Sequence, residues 1–334
     1  MPSRIANETE LIETYLVPLA AGYPGAFGLQ DDAALISLEP GFDLVVSTDP
    51  IIAGVHFFGD DDARDIAWKA LAVNCSDLAA KGAEPIAYAM ALAFPEAPKH
   101  AWMADFSAGL AAAQAAFGCH LIGGDTDHTP GPLSISITAF GRVPRGKMVR
   151  RGLASAGDHV FVSGTLGDSA LGLKLRLSPD AFADRLPASH RQHLLDRYLR
   201  PQPRLALASA LRTYASAALD VSDGLIKDAG RLAASAGARL TIQSADVPLS
   251  QAARAALAGD DCLWQSIVAG GDDYEILCAV PATHVSAFVE AARAASSIVT
   301  RLGVLEEGSG VSLNGPDGTP LQFSQLGYDH FGGS

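Results

Sequence analysis

Asn74-Cys75-Ser76-Asp77-Leu78-Ala79-Ala80-Lys81-Gly82-Ala83-Glu84-Pro85-Ile86-Ala87-Tyr88-Ala89 decides the reading of the fold. Asp65 to Lys81 runs without a breaker, with apolar residues at helical spacing, and Gly82 stops it, so a helix is predicted there. Glu84 to Ala93 then reads as a strand. Working outward, Asn7 to Ala20 is an amphipathic helix with Leu11, Ile12, Tyr15, Leu16 and Leu19 on one face. Ala33 to Leu38 and Asp43 to Thr48 read as strands joined by the turn Glu39-Pro40-Gly41. Lys99 to Gly118 is an Ala-rich helix, His120-Leu121-Ile122 runs into a Gly123-Gly124-Asp125 turn, and Leu133 to Val143 is another strand. Helices and strands mix without a clean βαβ alternation, so the class expected is α+β.

A chain of 334 residues exceeds one ordinary core, and two domains are expected. The boundary is placed near residue 150, giving 1–150 and 151–334. There Arg145-Gly146-Lys147 and Arg150-Arg151-Gly152 concentrate positive charge in an otherwise acidic chain. Beyond it, His159 to Gly164 reads as a strand and turn. A strand at Ala217 to Val221, a Ser222-Asp223-Gly224 turn and a helix from Leu225 to Ala236 follow, with Ser222 or Asp223 as the expected N-cap. A further acidic turn, Gly270-Gly271-Asp272-Asp273, leads into a strand from Glu275 to Val280.

Composition narrows the class. Hydrophobic residues make up 49% and charged residues 18%, as in a globular protein. A net charge of −13 argues against non-specific nucleic-acid binding, which needs basic surface. Cys75, Cys119, Cys262 and Cys278 form no CxxC pair, so a zinc site or redox dithiol is not expected. Met1-Pro2-Ser3-Arg4 leads into polar residues rather than a signal core, and no apolar run reaches the roughly 18 residues of a membrane span. A reducing cytoplasm, with no membrane partner, is the expected setting.

The chemistry lies in clustered acidic residues beside small or hydroxyl residues. These are Asp31-Asp32, Ser47-Thr48-Asp49, Asn74-Cys75-Ser76-Asp77, Gly123-Gly124-Asp125-Thr126, Asp220-Val221-Ser222-Asp223-Gly224 and Gly270-Gly271-Asp272-Asp273. An Asp in one turn is most often a local cap. Six of one style are better explained as oxygen ligands for hard cations such as Mg²⁺, which binds through a few carboxylates, water and substrate phosphates. That points to phosphoryl transfer. Gly123-Gly124 and Gly270-Gly271 allow close backbone approach to phosphate. There is no GxxxxGK[ST] and no GxGxxG in a strand–turn–helix setting, which disfavours P-loop kinases and Rossmann dehydrogenases. His56 follows the Ser47-Thr48-Asp49 cluster closely and is a candidate substrate contact. Arg151 could hold a phosphate bidentately. No nucleophile–base pair is evident, so covalent catalysis carries little weight.

As a set, these motifs resemble the thiamine-monophosphate kinase family, within the superfamily that includes aminoimidazole ribonucleotide synthetase. The resemblance runs through nearly the whole chain. It is strongest in Ser47-Thr48-Asp49 with Gly54-Val55-His56-Phe57, Asn74 to Ala83, Gly123-Gly124-Asp125-Thr126, Asp220 to Leu225 and Tyr328-Asp329-His330-Phe331. It implies ATP-dependent phosphorylation of thiamine monophosphate to thiamine diphosphate by direct in-line transfer. Metal binding is implied for Asp31, Ser47, Thr48, Asp49, Asp77, Asp125, Asp220 and Asp223, with Asp49, Asp77, Asp125 and Asp223 central to catalysis. ATP contacts are implied for Gly124, Asp125, Arg151 and Ser222, and acceptor contacts for His56, Asp272 and Tyr328, the last by ring stacking. The implied fold is an N-terminal α+β domain that dimerises through its sheet and a C-terminal α/β domain completing the active site. Three positions depart from the family pattern. Gln30 replaces a Gly before the first Asp pair, the stretch Asp127 to Pro132 is longer, and Asp272 stands where Glu is common. An aromatic ATP contact in the Lys99 to Gly118 helix falls on Trp102 or Phe106.

Three rival readings fit the residues less well. A selenophosphate synthetase needs a reactive Cys near the N-terminus, whereas the first here is Cys75. Aminoimidazole ribonucleotide synthetase itself is disfavoured by the pairing of Gly54 to Phe57 with Tyr328 to Phe331. From a different class, a non-catalytic nucleotide-binding regulator would have lost acidic ligands, and every aligned one is present.

Overall fold

The computed structural model describes residues 4–182, 184–258 and 260–328. Asp329, His330 and Phe331 of the terminal motif lie outside the described residues. The chain divides into two compact units, residues 1–78 with 83–147, and residues 79–82 with 148–334.

In the first unit the amphipathic N-terminal segment is helical over residues 8–20. It forms as α1 (Glu8–Leu11), a π-helical turn Ile12–Leu16 and α2 (Val17–Ala20), with Asn7 capping the Glu10 N–H. The strand expected at Ala33 to Leu38 is absent. That backbone runs unladdered past residues 24–29, with the Leu35 N–H on the Gly25 carbonyl at 2.8 Å. An extended pattern with no neighbour to complete a ladder stays a loop.

β1 (Phe42–Ile52), α3 (Ala63–Ala80), β2 (Glu84–Phe94), α4 (His100–Phe117), β3 (His120–His128) and β4 (Ser134–Pro144) follow. Among the described residues the sheet order is β1-β4-β2-β3, antiparallel except for β2 with β3. β4 alternates strictly, burying Ile135, Ile137, Ala139 and Val143 on one face. Helices lie over that face. Leu78 of α3 reaches Gly141, and Gln114 of α4 accepts from the Tyr88 hydroxyl at 3.2 Å. α4 turns Met103, Phe106, Leu110, Ala113 and Phe117 inward at helical spacing.

The second unit carries β5 (His159–Ser163), α5 (Asp168–Leu177), α6 (Ala188–Leu199), α7 (Ala208–Tyr214), β6 (Ala217–Val221), α8 (Leu225–Ser235) and β7 (Ala238–Gln243). α9 (Gln251–Leu257), α10 (Leu263–Ala269), β8 (Glu275–Val280), α11 (Val285–Ala294), β9 (Val299–Glu307) and β10 (Gly310–Asn314) complete it. Its sheet runs β10-β7-β9-β5-β8-β6. Every residue of β6 and β8 is buried, as expected of strands covered on both faces. Leu219, Val221, Leu277 and Ala279 enter one hydrophobic cluster, while Ala218, Ile276, Cys278 and Val280 enter another. The first unit is α+β and the second a layered α/β unit.

Candidate active site

Two of the acidic clusters lie inside strands, Gly123-Gly124-Asp125 among them although it reads locally as a turn. Ser47-Thr48-Asp49 lies inside β1, in register with Ala139, Thr138 and Ile137 of β4. Gly123-Gly124-Asp125 lies inside β3, opposite Ala89, Met90 and Ala91 of β2. Long-range ladders override the local turn signal.

The pleat sorts the β1 side chains. Ser47 and Asp49 share a face with the buried Val45 and Ile51, and α3 lies over it. The Ser47 hydroxyl donates to Asp77 Oδ2 at 2.5 Å, and the Asp49 N–H donates to Asn74 Oδ1 at 3.0 Å. Asn74 and Asp77 reach these partners because residues three apart share a helix face. Thr48 faces the other way. Its hydroxyl donates to the Ile137 carbonyl at 3.1 Å and meets the Thr138 hydroxyl at 3.0 Å. His56 sits in the turn after β1, where Nδ1 accepts the Ile52 N–H at 3.1 Å.

Gly124 shapes the other acidic group. Its φ is +156°, and a Cβ there would fall 1.8 Å from the Met90 carbonyl oxygen. A register shift between Tyr88 and Ala89 accompanies it, a bulge that re-aims the chain. Asp125, Gly123 and Gly124 line a cavity of about 500 Å³ together with Asp31, Asp32 and Glu8. Its other wall is apolar, from Ile12, Leu16, Leu29, Ile36, Ile122 and Phe140. Gln30, preceding the acidic pair, adopts an ordinary right-handed conformation (φ −104°), so the side chain introduces no strain. Of the two candidate aromatics, Phe106 is fully buried and stacked on Trp102 at 4.9 Å, leaving Trp102 the more accessible.

In the second unit Asp220 is the penultimate residue of β6, and Ser222 and Asp223 follow the strand. Neither Ser222 nor Asp223 caps α8; Gly224 occupies that position. Instead Asp228, one turn inside the helix, accepts the Ser222 and Asp223 N–H groups at 3.1 and 3.0 Å. Asp272 and Tyr328 join this point through the backbone. The Asp272 N–H donates to the Ser222 carbonyl at 2.8 Å, and the Tyr328 N–H to the Asp223 carbonyl at 3.0 Å. Arg151 lies in an exposed 3₁₀ turn packed against β6 and α8, and its carbonyl accepts from Ser235.

All these donors are oxygens, the chemistry that suits Mg²⁺. Among the described residues no group of three or more His, Cys, Asp or Glu is arranged to hold a metal unaided.

Residues 30–143 match AIR synthase related protein, N-terminal domain, and residues 155–315 match its C-terminal domain. Thiamine-monophosphate kinase of Caulobacter vibrioides is 42% identical over 329 residues, covering 97% of this chain and 91% of its own. The chain belongs to the thiamine-monophosphate kinase family. The crystal structure of thiamine-monophosphate kinase from Stenotrophomonas maltophilia is 40% identical with a TM-score of 0.79, over 88% of this chain and 91% of that one. AaThiL complexed with AMPPCP and TMP is 30% identical with a TM-score of 0.75, over 92% and 97%.

Within this thiamine-monophosphate kinase family member, Asp228 and the cations around Asp223 and Glu275 escaped the sequence reading. Arg231 bonds both Asp223 (2.5 Å) and Asp228 (2.6 Å), and Lys227 pairs with Asp223 at 3.1 Å. Burial outweighs the backbone N–H bonds and the Arg231 charge at Asp228 and pushes its pKa up to about 6. Asp273 is buried with both oxygens on the Gly167 N–H at 2.9 and 3.0 Å, and burial pushes its pKa well up. Glu275 is fully buried against Ser163 (2.6 Å), Arg197 (3.0 Å) and Arg204 (2.6 Å). Only the i,i+3 and i,i+4 spacing of Lys227 and Arg231 to Asp228 and Asp223 left a trace in sequence.

Proposed function

We propose that this chain is an ATP- and Mg²⁺-dependent kinase that converts thiamine monophosphate to thiamine diphosphate by direct transfer. The observation that carries the proposal is the cavity beside Gly124. One wall is apolar, fit for an organic ring, and its rim holds Asp31, Asp32 and Asp125, fit for cation-bridged phosphates. The family membership and the ligands carried by AaThiL point the same way.

In the proposed reaction the bond between the γ-phosphorus and the bridging oxygen of ATP breaks and ADP leaves. A phosphate oxygen of thiamine monophosphate forms the new P–O bond. That oxygen is already anionic at neutral pH, so no strong general base is required. Asp49, Asp77 and Asp125 are assigned to the ATP-side cations, and Asp31, Asp220 and Asp223, with Ser47, to the remaining ones; the Thr48 side chain, which faces away, is not assigned to a cation. When bound, Mg²⁺ supplies charge neutralisation between two crowded polyanions. The Ser47–Asp77 bond holds the Asp77 carboxylate in place before substrate arrives, and Asn74 fixes the backbone at Asp49, which is where preorganisation lowers a barrier. Gly124, Arg151 and Ser222 are assigned to ATP, and His56, Asp272 and Tyr328 to the acceptor.

A homodimer through the open face of the first sheet completes the proposal. There Leu44 and Val46 of β1 are 42% and 54% exposed, an apolar strip suited to a partner surface. No helix among the described residues is long and apolar enough to cross a membrane, and a cytoplasmic setting is proposed. The test is an assay of purified protein with ATP, Mg²⁺ and thiamine monophosphate, following thiamine diphosphate by fluorescence after oxidation, with free thiamine alongside. Mg²⁺-dependent product from the monophosphate is the expected outcome. ATP binding without product would overturn the assignment.

A further inference from the structure

The stretch from Pro320 to Tyr328 crosses the second unit outside any helix or extended strand, yet it is fastened at each step. The Leu321 N–H donates to the Leu313 carbonyl at 2.8 Å. Gln265, on α10, then grips the chain from both ends of its amide. Oε1 accepts the Ser324 N–H at 2.9 Å, and Nε2 donates to the Gln325 carbonyl at 2.7 Å. At Gly327 the strap lies against the start of α8. A Cβ there would fall 2.5 Å from Lys227 Cβ and 2.8 Å from the Asp223 carbonyl oxygen, so a side chain could not be admitted without displacement. Lys227 closes the fastening. Its ammonium donates to the Tyr328 carbonyl while pairing with Asp223. Tyr328, its N–H on the Asp223 carbonyl, is 44% exposed.

An aromatic ring left exposed at the end of so tightly held a segment is being presented rather than buried. Its backbone is bonded to Asp223, and Asp272 is bonded to the neighbouring Ser222, so ring and carboxylates share one local frame. A phenol face held there suits a cationic heteroaromatic ring. We propose that Gln265 and Lys227 are positioning residues: they fix the 324–328 strap so that Tyr328 stands ready for the acceptor's ring. This rests on the kinase reading above. Gln265 touches only strap atoms in these bonds, whereas Lys227 also balances the Asp223 charge, so the two separate strap geometry from electrostatics.

The test uses the full chain with Gln265→Leu, Lys227→Met and Lys227→Arg. Two readouts are taken: kinetics against thiamine monophosphate and against ATP, and amide hydrogen exchange at Tyr328 without substrate. In Gln265→Leu and Lys227→Met, exchange at Tyr328 is expected to rise about tenfold as the local bonds open more often. The acceptor KM should rise about tenfold in both, with kcat and the KM for ATP within about twofold in Gln265→Leu, the signature of lost binding rather than lost chemistry. Lys227→Arg should restore both. Faster exchange with an unchanged acceptor KM would overturn the positioning role, as would unchanged exchange. A fall in kcat for Lys227→Met with Gln265→Leu unaffected would assign Lys227 to Asp223 instead. Absence of turnover in the unaltered protein would overturn the kinase reading, while the exchange experiment would still decide whether Gln265 and Lys227 hold the strap.

Discussion

The two units handle acidic residues in opposite ways. In the first, two of the proposed ligands sit on regular elements and are met by neutral donors: the Ser47 hydroxyl on Asp77 of α3 and the Thr126 N–H on Asp125 of β3. In the second, Asp228 of α8 and Glu275 of β8 are buried and met by protein cations: Arg231 on Asp228, Arg197 and Arg204 on Glu275. An acid met by neutral donors keeps its attraction for a cation from solution, whereas one already paired with a guanidinium has spent much of it on the fold. Charge alone therefore does not mark a ligand.

The comparison breaks most readily at Glu275. Glu275→Ala leaves two arginines facing a buried space, and loss of one partner of such a pair costs about 3–5 kcal/mol. Urea unfolding should show that loss; a variant as stable as the parent would mean the network is not structural. At the opposite pole, Asp77→Asn can keep the Ser47 contact while losing charge. It should lower kcat on the order of 100-fold or more and shift unfolding by less than about 0.5 kcal/mol. Comparable losses of stability and turnover would erase the distinction between the units.

Asp228 sharpens it through pH. Its folded pKa of about 6 lies above the ordinary carboxylate value, so the folded protein binds the proton more tightly than the unfolded chain. The contribution is full below about pH 4 and is lost as pH rises through about 6, amounting to about 3 kcal/mol. Asp228→Asn should flatten that part of the stability–pH curve, and an unchanged slope would refute the assignment. The smallest effect is expected at Thr48, whose side chain faces away from Ser47 and Asp77. Thr48→Val should keep kcat within about threefold while Ser47→Ala loses about tenfold; the reverse order would contradict the β1 geometry.

What could be read from sequence follows the same division. Periodicity and a terminal glycine placed the helix now seen at Ala63–Ala80 and the strand at Glu84–Phe94, and β8 occupies Glu275–Val280 as expected. Local signals failed where distant partners decide. Gly123-Gly124-Asp125 carries turn-forming residues, but the ladder to β2 holds it extended. Ala33 to Leu38 had a strand's composition and no neighbour to pair with. Gly224 took the cap position expected of Ser222 or Asp223, whose N–H groups are instead held by Asp228 from inside the helix. Arg197 and Arg204 reach Glu275 across 78 and 71 residues, a pairing no local pattern encodes.

The most direct test of the central claim, that the oxygen donors serve phosphoryl transfer to a phosphate, is ³¹P NMR of ATP, Mg²⁺ and thiamine monophosphate with the protein. Direct transfer predicts ADP and thiamine diphosphate rising together in equal amounts, with no inorganic phosphate. Inorganic phosphate rising with ADP while thiamine monophosphate persists would contradict it.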